Sequence, residues 1–103
     1  GQLVFILQRG VRFPQGPPLM KNYYVYIILS KVSNKQLTYV GYTNNLQKRL
    51  TLHNSSKGAK FTKGKKWQYI YIKKYDSRSK AMKNEYLLKK DRKKRNNIKA
   101  NFI

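Results

Sequence analysis

Tyr26, Tyr39, Arg49, His53 and Glu85 are polar side chains placed on stretches that otherwise read as core. Arg49 and His53 stand at i and i+4, and at about 100° per residue they share a helical face with Leu46 and Leu50. An arginine and the chain's one histidine at a core-facing edge must either be paired, for instance by capping nearby carbonyls, or face a cleft. Glu85 falls angularly between Ala81 and Met82 and close to Leu88 on a later helical pattern, so its carboxylate projects inward with the apolar residues. A half-buried carboxylate needs a cation. That cation is either Arg49 or a lysine in an ion pair, or a divalent metal. Asp76 and Asp91 are not placed to join Glu85, and a single carboxylate suits one magnesium-like ion completed by other oxygen ligands rather than a two-metal clamp.

Composition states what such a site would face. The chain carries 24 Lys and Arg against 3 Asp and Glu, a formal net charge of +21 over 103 residues. Self-repulsion on this scale disfavours a compact state, so a polyanionic partner accounts for it best. Nucleic acid is the first candidate and an anionic membrane surface the second. AT-rich coding would inflate Lys, Asn, Ile and Tyr, but it would not deplete Asp and Glu. Aromatics at 14% and hydrophobic residues at 40% exclude a disordered basic tail. The length suits one domain. With no cysteine there is no disulfide, thiol nucleophile or cysteine zinc site, which fits a reducing, cytoplasmic setting, with nucleoid association following from the charge. The run Leu3 to Leu7 is too short for a signal-peptide core or a membrane span, and no helical pattern opposes a strong apolar face to its lysines.

The elements that must position the five residues follow from local pattern. Tyr23 to Ser30 is a β-branched and aromatic run, the pattern of a strand buried on both faces. Val32 to Gln36 supplies turn chemistry and Leu37 to Tyr42 reads as the return strand of a hairpin. Thr43 or Asn44 can cap a helix over about 45–54. Residues 55–66 form a Lys- and Gly-rich loop, and Trp67 to Tyr75 alternates as a third strand. Ser77 can cap a second helix over about 78–95, with Ala81, Met82, Tyr86, Leu87 and Leu88 as its apolar positions. The β-β-α-β-α order predicts an α/β (α+β) fold, a small three-stranded, mainly antiparallel sheet flanked by helices. Residues 1–19, with Pro14, Pro17 and Pro18, read as an extension or leader outside the fold, since Met20 looks like a natural start. An added edge strand at Leu3 to Leu7 is the alternative. The domain is expected over 20–95 and a tail over 96–103.

Val25-Tyr26-Ile27, then Tyr39-Val40-Gly41, Arg49 ten residues after Tyr39, His53 four later and Glu85 on a later helix resemble the GIY-YIG nuclease superfamily. The resemblance covers about Tyr23 to Lys90. His53-Asn54 followed by Lys57-Gly58-Ala59-Lys60-Phe61-Thr62 is most similar to the small stand-alone bacterial members and to the catalytic subunit of the endonuclease that cuts branched DNA. The departures are mild: Val25 stands for the usual isoleucine, Tyr24 for the glycine before it, and nothing matches the extra polar residue some members carry after the glutamate.

The resemblance implies roles. Tyr26 would deprotonate or position the attacking water, Tyr39 would hydrogen-bond in the same site, Arg49 would hold the scissile phosphate, His53 would assist proton transfer, and Glu85 would bind one Mg2+ or Mn2+ ion. A tyrosine of reference pKa about 10 needs nearby cations to favour its phenolate, and Arg49, the metal and the positive field act in that direction. Binding is expected from Lys57, Lys60, Lys63, Lys65 and Lys66 on the loop and from Lys89 and Lys90 with the basic run behind them, gripping backbone phosphates without reading sequence. The expected activity is metal-dependent hydrolysis of DNA phosphodiesters, with branched or flap DNA as candidate substrates, RNA as a further one and DNA repair as the context. The alternative is a basic DNA- or RNA-binding module that does not cleave, although such a module has no need of a carboxylate that repels phosphate. Sequence leaves open a protein partner or homodimer.

Overall fold

The computed structural model describes residues 4–6 and 22–102 of the chain. Strand β1 (Val4–Ile6) is followed by β2 (Tyr23–Val32), β3 (Lys35–Thr43), helix α1 (Leu46–Asn54), a 3-10 turn (Lys60–Thr62), β4 (Gln68–Tyr75), α2 (Arg78–Lys90) and α3 (Arg92–Phe102). The strands form one sheet in the order β1-β4-β2-β3, antiparallel at every pairing. The expected three-strand arrangement is present. The short β1 extends it at the β4 edge, Phe5 pairing with Ile72, in the stretch where the sequence offered an edge strand as the alternative.

β2 is central and buried from Tyr24 to Ser30, as its unbroken apolar run requires. Because side chains alternate, the strand feeds two cores. Val25, Ile27 and Leu29 pack with Val40, Ile70, Tyr71, Ala81, Leu88, Ile98 and Phe102 under α2 and α3. Tyr24, Tyr26 and Ile28 pack on the other face with Leu46, Trp67, Tyr69 and Ile72. A register shift between Ile27 and Ile28 opposes Ile27 to Tyr71 and Ile28 to Tyr69. This bulge leaves both Ile70 and Tyr71 in the first core and Tyr69 in the second, beside Tyr26.

The helices depart from expectation in four ways. α1 is capped by Asn45, whose side chain accepts from the Lys48 N–H at 3.0 Å, rather than by Thr43 or Asn44. Thr43 instead braces the cap, its hydroxyl bonded to the Asn45 N–H at 3.1 Å. Of the apolar positions read into α2, Ala81 and Leu88 are buried, while Met82, Tyr86 and Leu87 are about half exposed. The expected long helix over 78–95 is two helices: Asp91 leaves helical geometry and its carboxylate caps α3 through the Lys94 N–H at 3.1 Å. The stretch read as a tail from 96 is helix to Phe102, because Ile98 and Phe102, at i and i+4, enter the first core. Ser77 caps α2 as its residue type suggests, accepting from the Lys80 N–H at 3.2 Å. Among the described residues no helix is long and apolar enough to cross a membrane.

Candidate active site

The face of the sheet beneath α1 holds a continuous polar chain inside an aromatic box. Tyr26 comes from β2, Arg49 and His53 from α1, and Thr62 from the 3-10 turn. The Tyr26 hydroxyl lies 2.8 Å from His53 Nε2, and Arg49 donates Nε–H to the same hydroxyl at 3.1 Å. On the far side of the imidazole, His53 Nδ1 lies 3.0 Å from Thr62 Oγ1. Tyr26, His53 and Thr62 are all at 0% exposure.

The direction of each proton follows from counting donors. The Thr62 hydroxyl gives its one hydrogen to the Ala59 carbonyl at 2.7 Å, so it can only accept from His53. Nδ1 therefore carries the imidazole proton and Nε2 a lone pair, which accepts the Tyr26 O–H. Burial lowers the His53 pKa to about 4, with Arg49 adding to the effect, so the ring is neutral at pH 7 and holds this tautomer.

Tyr26 runs against the sequence-based expectation that cations would favour its phenolate. Burial pushes its pKa up to about 12, and the opposing pull of Arg49 is smaller. At rest it is a phenol. Arg49 keeps its charge although burial opposes it, because the bond to Tyr26 and the surrounding phenols favour the cation.

Two glycines make the close packing possible. Gly41 is the β3 partner of Tyr26 in register, and a Cβ there would lie 2.6 Å from Tyr26 Cζ. At Gly58 a Cβ would lie 2.6 Å from His53 Nδ1, so the loop can close over the ring only without one. The loop is fixed at its far end by Asn54, which accepts from the Trp67 N–H at 2.6 Å and donates to its carbonyl at 3.2 Å. Trp67 in turn donates Nε1–H to the Thr62 carbonyl at 3.0 Å.

The remaining residues read from sequence are placed less closely. Tyr39 stands edge-on to His53, with ring centroids 5.3 Å apart, and stacks on the exposed Phe61. Glu85 is near enough for its charge to oppose ionisation of Tyr26 but is not hydrogen-bonded to it; its carboxylate, 18% exposed, pairs with Lys89 at 3.0 Å. Lys89 thus fills the lysine option for its partner, and Arg49 turns to Tyr26. Among the described residues no group of three or more His, Cys, Asp or Glu could hold a metal. Lys57, Lys60, Lys63 and Lys66 are exposed around the loop. Lys65 folds back onto the Phe61 carbonyl at 3.1 Å, and Lys90 lies over the Tyr86 ring.

Sequence reading missed Thr62, Asn54, Gly58 and Tyr69 as contributors to this site. Tyr69 packs edge-on to Tyr26, 5.3 Å between centroids, and donates its hydroxyl to the Leu46 carbonyl at 2.7 Å, tying β4 to α1. The signal for Thr62 was present: a buried histidine needs a second partner, and the loop that follows it offers a hydroxyl nine residues on.

Comparison with known proteins shows which family the chain resembles. Residues 22–99 match the model of the GIY-YIG catalytic domain. A UPF0213 protein of Oceanobacillus iheyensis is 43% identical over 70 residues, covering 67% of this chain and 78% of its own. One from Staphylococcus haemolyticus is 39% identical over 71 residues, covering 68% and 83%. The UPF0213 protein YazA of Bacillus subtilis is 37% identical over 70 residues, covering 67% and 68%. No solved structure matches significantly. The chain belongs to the GIY-YIG catalytic domain family, a family of nucleases.

Proposed function

We propose that this protein is a metal-dependent DNA endonuclease that hydrolyses phosphodiester bonds through Tyr26, Arg49, His53, Tyr39 and Glu85. The observation that carries the reading is the directed chain from Tyr26 to the lone pair of His53 and on to Thr62. A phenol with a pKa of about 12 cannot wait as a phenolate at neutral pH. It can act as a base if it passes its own proton on as it takes one. In this step the water proton moves to the Tyr26 oxygen, the Tyr26 proton moves to His53 Nε2, and the water oxygen attacks phosphorus. The bond from phosphorus to the sugar oxygen of the leaving strand breaks as it does so, that oxygen departing with the electron pair and taking a proton from solvent.

His53 then carries a positive charge beside Arg49. This is unfavourable in the resting site and favourable once a phosphodiester oxygen sits against the Arg49 guanidinium, since the anion offsets both cations. The same guanidinium balances the charge that builds on the phosphoryl oxygens. Tyr39, stacked between His53 and Phe61, limits water around the imidazole and offers its hydroxyl to the substrate.

Nucleases of this family generally use a divalent ion. Glu85 fits one Mg2+ or Mn2+ ion as a single hard oxygen donor, the kind of ion that keeps several waters and shares substrate phosphate. When bound, the ion would supply further neutralisation of phosphoryl charge. Lys89 must release the carboxylate for this to occur.

The exposed lysines contact phosphates, so preference would come from the shape of the nucleic acid, with branched or flap DNA as the substrate, repair as the setting and the cytoplasm as the location. A non-cleaving DNA- or RNA-binding module is the second reading, favoured by the Glu85–Lys89 pair, which satisfies the carboxylate without a metal. The deciding experiment is magnesium-dependent cleavage of single-stranded, duplex, flap and branched DNA and RNA beside Glu85→Gln. Cleavage by the wild type alone supports the enzyme; metal-dependent cleavage that persists in the variant overturns the role of Glu85, and binding without cleavage leaves the module.

A further inference from the structure

A groove of about 430 Å³ opens beside the site, lined by Tyr23, Tyr42, Thr43, Asn44, Arg49 and Arg78. It lies where the end of β3 meets the start of α1 and the start of α2, and Arg49 joins it to the active site. Arg49 turns Nε–H toward Tyr26 while its side chain also walls the groove. Arg78, at the start of α2, also lines it, its Nε–H directed at the Tyr42 hydroxyl at 3.4 Å.

The lining has two guanidinium groups and no carboxylate. Among the described residues the ion pairs are Lys80 with Asp76 and Lys89 with Glu85, so neither arginine is neutralised by an acid. Tyr42 holds the Arg78 guanidinium through Nε, which leaves the Nη groups directed away from that bond. A planar guanidinium presents paired N–H donors that match two oxygens of a phosphodiester. Tyr23 and Tyr42 add aromatic surface, and Asn44 is an exposed amide. Phosphate-matching cations, aromatic faces and an amide in one groove suit a nucleotide. The volume lies in the lower part of the range for small-ligand sites, about 300–1,000 Å³.

We propose that this groove binds the nucleotide next to the scissile one, with its phosphate on Arg78 and its sugar and base against Tyr42 and Tyr23. The inference rests on the nuclease reading for its register, because Arg49 is the residue that links scissile and neighbouring phosphates. Arg78 thereby sets the path of the strand into the site and takes no part in the chemistry.

The test combines salt-dependent DNA binding with cleavage for the wild type, Arg78→Ala, Arg78→Lys and Lys35→Ala, the last at the far end of β3. For duplex DNA, Arg78→Ala should flatten the log–log salt slope by about 0.9, and by about 0.7 for a single strand. Affinity should fall about tenfold or more. Arg78→Lys should keep the slope and recover part of the affinity, and Lys35→Ala should change neither affinity, nor slope, nor cleavage at saturating DNA. A neutral methylphosphonate walked along the substrate should weaken the wild type at one phosphate adjacent to the scissile bond and leave Arg78→Ala indifferent there. An unchanged slope in Arg78→Ala, an equal effect from Lys35→Ala, or methylphosphonate sensitivity that survives in Arg78→Ala overturns the groove. Wild-type binding with the Arg78-dependent slope but no cleavage on any substrate overturns the nuclease reading and leaves the groove as a binding site.

Discussion

Single side chains in this site have separable jobs, so conservative substitutions should give distinct signatures. Tyr26→Phe removes only the hydroxyl that bridges Arg49 and His53; cleavage should fall by about 10² or more in single-turnover assays while the fold survives. Thr62→Val keeps the shape and removes the acceptor for the His53 Nδ1 proton. It should slow cleavage without weakening DNA binding, and Thr62→Ser should restore the rate. His53 also makes stability depend on pH. Its folded pKa of about 4 lies below the ordinary 6.5, so the unfolded chain binds the extra proton first and stability is lost as pH falls from about 6.5 toward 4. Urea midpoints at pH 7 and pH 5 should differ by more in the wild type than in His53→Gln. What sequence revealed here was the residue types and their helical phase. Proton direction was not legible, because it depends on Thr62, which reaches His53 only after a loop whose path no periodicity describes.

Strands and helices explain why those side chains meet. β2 was readable from its composition alone, and so was its partner hairpin strand, since a run buried on both faces has few alternatives. Gly41 was readable as part of the Tyr39-Val40-Gly41 motif but its reason was not: it is the cross-strand neighbour of Tyr26, and the phenol occupies the space of the missing side chain. Gly41→Ala should therefore reduce cleavage as severely as losing the tyrosine hydroxyl, with a smaller loss of thermal stability, since the strain falls on a side chain that can shift. The end of the chain was misread because seven basic residues and two asparagines from Lys89 to Lys99 mask the Ile98 and Phe102 pair. Phe102→Ala should lower unfolding free energy by about 3 kcal/mol in denaturant titrations, with cleavage of the folded fraction unaffected.

At the scale of the molecule, charge decides how a polyanion would be met. The three acids are confined to residues 76–91, two of them paired with lysines one helical turn away, and the rest of the surface is left positive. Binding should weaken steeply with salt and vary little with base sequence. Replacing Lys63, Lys65 and Lys66 with Ala should flatten the salt slope without altering the rate at saturating DNA. Lys65 should contribute least, since its ammonium is already bonded to the loop's own carbonyls. The overall charge was legible at once from composition, but the division of lysines into those facing solvent and those occupied within the protein was not. One feature of the loop gives access to all of this without a label. The chain has a single tryptophan, Trp67, buried against Phe61, with its indole N–H on the Thr62 carbonyl and its backbone clamped by Asn54. Its emission arises from one fluorophore in the segment that anchors His53, so a spectral shift on adding DNA would report movement of that segment, and the same band would follow global unfolding.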